Sequence, residues 1–173
     1  MDNTLAPFER ATPAELIEHV LRRYHEPLPG QMAALFQQIR TLGNQPGEPI
    51  DLLRELGRLL NDLWADLEPH LFKEERVLFP MIQSVAASAT AGGPIFPPPE
   101  HIQNGPIRVM KMEHERADEI QRALSEITSQ YVPKEGSSAA LRSLYEAIKT
   151  MDLELREHIR IEEEYLFPSV GRL

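Results

Sequence analysis

The phrase His-x-x-x-Glu-Glu-x-x-Leu-Phe-Pro occurs twice, at His70–Pro80 and His158–Pro168, 88 positions apart in a chain of 173 residues. Two further histidines, His25 and His114, lie 89 positions apart and precede the phrases by 45 and 44 residues. A chain that repeats itself at half its length is most simply two copies of one structural unit. Positions i and i+4 differ by about 40° around a helix, so each phrase puts its histidine and its first glutamate on one helix face. The repeated unit is therefore a helical hairpin, and an approximate twofold relates the two copies.

Four segments carry apolar residues at helical spacing, and the breaks between them are rich in proline and glycine. The first opens with Thr12 as N-cap, Pro13 at the first helical position and Glu15 completing a capping box. It continues through Met32, Phe36 and Ile39, bent where Pro27 and Pro29 interrupt its hydrogen-bond ladder. Residues 43–49 end it. The second carries Leu52, Leu56, Leu59, Leu63, His70 and Glu74, and Pro69 inside it predicts a kink or bulge one turn before the histidine. Proline-rich residues 84–106 read as a long crossover loop. The third helix spans about 105–130 and the fourth about 138–167. No alternating apolar run suggests a strand. The expectation is an all-α protein: a short tail over residues 1–11, then one helical bundle over 12–173.

A net charge of −9 argues against a nucleic-acid partner, whose phosphates call for basic patches. No apolar run approaches the roughly 20 residues that span a bilayer, and the start carries no secretory pattern. The cytoplasm is the default location. With no cysteine in the sequence, a thiolate metal site or a cysteine-held cluster is ruled out.

The faces that carry the histidines are also the apolar stripes. Leu56, Leu59, Leu63 and Leu67 lie within about 60° of His70, and Leu144, Met151 and Leu155 surround His158. Leu21, Leu28 and Met32 flank His25, and Met110 and Ala117 flank His114. Four imidazoles and two carboxylates thus point into one core. A buried carboxylate without a partner is costly enough to neutralise, so a cation is the natural compensation. Imidazole with carboxylate suits iron, manganese or zinc. If Glu74 and Glu162 each bridge two ions, two histidines and an oxide or hydroxide bridge complete five ligands per ion. An octahedral ion then keeps one position for a small ligand, and two iron ions are the leading reading. Asp66 and Glu154, four residues before His70 and His158, are candidates to accept the second ring N–H of those histidines. Glu113, beside His114, is a candidate to line the site or its access.

One His-x-x-x-Glu pair alone would be an ordinary helix surface contact. The doubled phrase with two matched histidines is what lifts it above that. His19 and His101 read as edge or surface residues, and Tyr24 and Tyr165 as packing. Glu75 and Glu163 point about 100° away from Glu74 and Glu162 and read as facing solvent or a salt bridge.

The set "YHE" at 24–26, "HLFKEERVLFPMI" at 70–82, "MEHE" at 112–115 and "HIRIEEEYLFP" at 158–168 resembles the hemerythrin-like domain of the family that repairs iron centres. The resemblance covers nearly the whole chain from residue 12. It implies an up-down-up-down four-helix bundle around a non-haem di-iron centre, with His25, His70, Glu74, His114, His158 and Glu162 as ligands and the two glutamates as bridges. It also implies a part in nitrosative and oxidative stress defence. That part includes binding nitric oxide or reactive oxygen species and donating iron to iron–sulfur proteins. Typical family members carry an N-terminal domain with adjacent cysteines, and here about eleven residues precede the first helix. The chain resembles more closely the short, cysteine-free relatives. A reversible oxygen or nitric oxide store, carrier or sensor, and a metal-free interaction bundle, stand as alternatives.

Overall fold

A computed structural model describes residues 8–172, so residues 1–7 of the expected tail lie outside the described residues. Four long helical rods form the bundle, and no strand occurs among the described residues. The first rod is α1 (Pro13–Val20), a π-helical turn (Leu21–His25) and α2 (Leu28–Gly43). The second is α3 (Ile50–Lys73), a π turn (Glu74–Leu78) and α4 (Phe79–Thr90). The third is α5 (Pro99–Ile102), a π turn (Gln103–Ile107) and α6 (Arg108–Ile127). The fourth is α7 (Ala139–Ile161), a π turn (Glu162–Leu166) and α8 (Phe167–Val170). Each rod packs on the next and the fourth returns to the first, α2 on α3, α3 on α6 and α2 on α7. No helix among the described residues is long and apolar enough to cross a membrane.

The start of α1 follows the capping arithmetic. The Thr12 N–H donates to Glu15 Oε2 (2.8 Å), and the Glu15 N–H donates to Thr12 Oγ1 (3.3 Å). Thr12→Ala is expected to lower stability by about 1 kcal/mol, read from the denaturation midpoint at unchanged slope.

Two expectations about the backbone are corrected. Residues 84–106 are not one long loop: α4 reaches Thr90, and helix resumes at Pro99, leaving residues 91–98 as the connection. Proline is harmless at the first turn of a helix, where its missing N–H has no partner to lose, and Pro99 begins α5 there. Nor does a bulge precede His70. α3 runs unbroken through Pro69, which is exposed together with Ala65, so water can serve the carbonyl that the proline leaves without a donor.

The wide turns sit elsewhere, and three obey one rule. They end two residues before Pro27, Pro80 and Pro168. In each, the residue before the proline donates five positions back: Glu26 to Leu21, Phe79 to Glu74, Phe167 to Glu162. A proline inside a helix collides with the carbonyl four residues earlier, and one extra residue in that turn relieves the collision.

The core divides into two apolar clusters. One holds Leu28, Leu35, Leu56, Leu63, Leu67, Leu124, Leu144, Ile148 and Leu155. The other holds Leu16, Val20, Tyr24, Leu78, Phe79, Ile82, Met110, Ile161 and Phe167. The described part of the tail joins the second, Phe8 resting on His19 and Tyr165 with ring centroids 4.9 and 5.9 Å apart. Every rod passes from one cluster to the other, and on all four the change falls beside a histidine.

Candidate metal centre

His25, His70, His114 and His158 are each at most 3% exposed, and Glu74 and Glu162 are fully buried. They meet between the two apolar clusters in two overlapping groups. His25, Glu74, His158 and Glu162 form one; His70, Glu74, His114 and Glu162 form the other. Within each group the ligating atoms all lie within 4.8 Å of one another. Both glutamates belong to both groups.

The atoms that face inward are lone pairs. His25 donates its Nδ1–H to Glu75 (3.0 Å), His70 to Glu113 (2.9 Å) and His114 to Glu163 (2.9 Å). A proton fixed on Nδ1 leaves Nε2 bare. The Nε2 atoms of His25 and His158 stand 3.0 Å apart, and those of His70 and His114 3.2 Å apart. Glu74 Oε2 is 3.5 Å from His25 Nε2 and 3.3 Å from His70 Nε2. The Glu162 oxygens divide, Oε1 at 3.0 Å from His158 and Oε2 at 3.3 Å from His114. None of the four carboxylate oxygens receives a hydrogen bond. Such crowding is repulsive unless positive charge sits among the lone pairs. Two donors about 2.1 Å from one ion at a right angle are about 3 Å apart, so the spacing fits a shared cation.

The electrostatics agree on sign. Burial lowers the His25 imidazole, and His158 facing it adds to that. Burial opposes charge on His70 and His114 too, but Glu74 outweighs it at His70, and Glu162 with Glu163 raises His114 to about 10. Burial raises the Glu162 carboxyl, yet His158 and His114 overcome it and hold the group well below its usual range. The centre draws in positive charge, and protons compete with metal ions for the same atoms.

The fold brings together all six inward residues that the sequence singles out, but the expected supports need correction. Asp66 and Glu154 do not reach the histidines one turn away. Asp66 pairs with Arg116 (2.6 Å), and Glu154 takes Arg23 (2.7 Å) and Gln31 (2.6 Å). Glu113 does contact a ring, that of His70, and Lys73 clamps it from outside.

Glu75 and Glu163, expected to face solvent or a salt bridge, pair with and orient the histidines of the neighbouring rods. The phenylalanines of the two phrases cover those same rings: Phe79 lies 5.6 Å from His25, and Phe167 stacks on His114 at 6.0 Å. Each phrase therefore supplies two inward ligands, then a carboxylate and an aromatic lid for the histidine of the rod before it. The duplicated Glu-Glu and Leu-Phe-Pro were the available signals. A cleft of ≈ 370 Å³ between α6 and α7 reaches His114 and Glu163 past Gln121, Arg156 and Arg160.

The hemerythrin HHE cation binding domain matches residues 16–170. The iron-sulfur cluster repair protein YtfE of Cronobacter sakazakii is 33% identical over 165 residues, covering 93% of this chain and 67% of that protein. The protein of the same name from Dickeya chrysanthemi is 33% identical over 174 residues, covering 98% and 71%. That from Salmonella schwarzengrund is 32% identical over 161 residues, covering 92% and 67%.

Proposed function

The chain belongs to the hemerythrin HHE cation binding domain family, and on that premise we propose that its buried centre holds two non-haem irons. His25 and His158 hold one, His70 and His114 the other, and Glu74 and Glu162 bridge them. The protein serves nitrosative and oxidative stress defence in the cytoplasm, taking nitric oxide or a reactive oxygen species at this centre. It takes part in iron–sulfur cluster repair, as the names of its relatives say of them, by passing iron to iron–sulfur proteins.

One observation carries this reading: six buried donors with inward lone pairs, split into two groups that share both carboxylates. Iron bound there supplies a change of oxidation state and an open position for a small ligand. The chain does the rest. Glu75, Glu113 and Glu163 fix which ring nitrogen faces inward, and Phe79 and Phe167 keep water from the rings. The cleft at His114 gives a diatomic ligand its approach.

Protein purified from iron-supplemented cells is expected to carry about two irons per chain, counted by metal analysis. Rapid mixing of the reduced protein with nitric oxide and with oxygen then separates the functions. Fast oxidation by oxygen, or nitrous oxide released from nitric oxide, supports defence chemistry. A stable, reversible adduct replaces it with a store, carrier or sensor. Iron near zero removes both.

A further inference from the structure

The two halves of the centre are not supported alike, and we infer that the cation position between His25 and His158 is the exchangeable one, the position from which a ferrous ion leaves first. The inference rests on the two-iron reading above.

At the His70–His114 position both rings are backed by carboxylates, Glu113 behind His70 and Glu163 behind His114, each at 2.9 Å. The Lys73 ammonium holds Glu113 in place. At the other position only His25 is backed, by Glu75. His158 Nδ1 is buried and meets no partner among the described residues.

The difference is written in the repeat. Glu113 precedes His114 and reaches across to His70; the matched residue before His25, 89 positions earlier, is Tyr24. Its ring stacks on His158, centroids 5.4 Å apart and planes within 10°, and carries no carboxylate to accept from the ring edge. Glu154, which lines the space beside His158, is taken by Arg23 and Gln31. A void of ≈ 10 Å³ lined by Tyr24, Gln31, Glu154 and His158 has room for about one water, a weaker acceptor than a carboxylate.

A carboxylate behind a ligating imidazole raises its basicity and fixes its orientation, and losing one typically weakens metal binding roughly 10–100-fold. The position served by His158 lacks one such support. Tyr24 is a positioning residue in this account. It shields the ring and leaves its outer nitrogen without a base.

The test loads the full chain anaerobically with ferrous iron, counts the metal, and follows its loss to a ferrous chelator. Two phases of equal size are expected, separated roughly 10–100-fold in rate. Anomalous scattering from crystals of half-depleted protein should place the remaining ion beside His70 and His114. Glu113→Gln should hasten the slow phase and leave the fast one unchanged, a selectivity that general loosening of the fold would not give. Tyr24→Glu should slow the fast phase; if that variant does not fold, the half-depleted crystal and Glu113→Gln still decide. Two ions that leave together, or a remaining ion beside His25 and His158, overturn the inference alone. A chain that never takes up two irons overturns the two-iron reading, and this inference with it.

Discussion

Glu162→Gln is expected to abolish uptake of both irons and to make the metal-free protein less stable than its parent. Glu162 is fully buried and its two oxygens face different histidine pairs, His158 at 3.0 Å and His114 at 3.3 Å. An amide of the same shape offers one weak oxygen donor in place of a bridging anion, so both positions lose a ligand together. The metal-free protein loses stability as well. The substitution removes the anion that holds His114 in its charged form, and a neutral amide cannot compensate a buried imidazolium. Iron present at about 1,000 times its dissociation constant should stabilise the parent by about 4 kcal/mol, or about 10 °C in Tm for a domain of this size. The variant should gain almost nothing. Metal analysis and melting curves with and without iron check both halves, and a Glu162→Gln variant that still binds two irons would refute the bridging role.

The reach of the sequence ended where a single helix stops being a sufficient description. The six inward residues were legible because a helix repeats its face every three to four residues, and the phrase repeats the pair His70 with Glu74 as His158 with Glu162. The Thr12 capping box was legible for the same reason: its partners are local. Glu75 and Glu163 were not, because their partners lie on other rods, at His25 and His114, and no helical wheel spans two helices. The wheel itself also changes there. A fixed step of 100° per residue fails once the chain enters a π turn at Glu74 or Glu162. Asp66 and Glu154 had the right spacing on their own helices, but Arg116 and Arg23 claimed them from neighbouring rods. One clue did lie in the repeat. The two phrases share Glu-Glu letter for letter, whereas Asp66 and Glu154 match only in charge. The proline-rich stretch misled in the opposite direction, since Pro99 opens a helix and Pro106 is absorbed by a wide turn.

Phe79→Ala is expected to lower stability by about 3–5 kcal/mol, a fall of about 10 °C or more in Tm, and to do something that an equally damaging core substitution does not. Phe79 is 2% exposed, belongs to the apolar cluster on one side of the centre, and lies over the His25 ring at 5.6 Å. Leu63, fully buried in the cluster on the other side, is the control. Leu63→Ala should cost about 2–5 kcal/mol by leaving a dry apolar cavity. Truncating Phe79 creates its cavity against the His25 imidazole, a polar wall that admits water. Loss of iron to a chelator should therefore accelerate strongly in Phe79→Ala and little in Leu63→Ala. Equal acceleration in both would mean that metal retention follows global stability, and that the aromatic ring above His25 contributes packing alone.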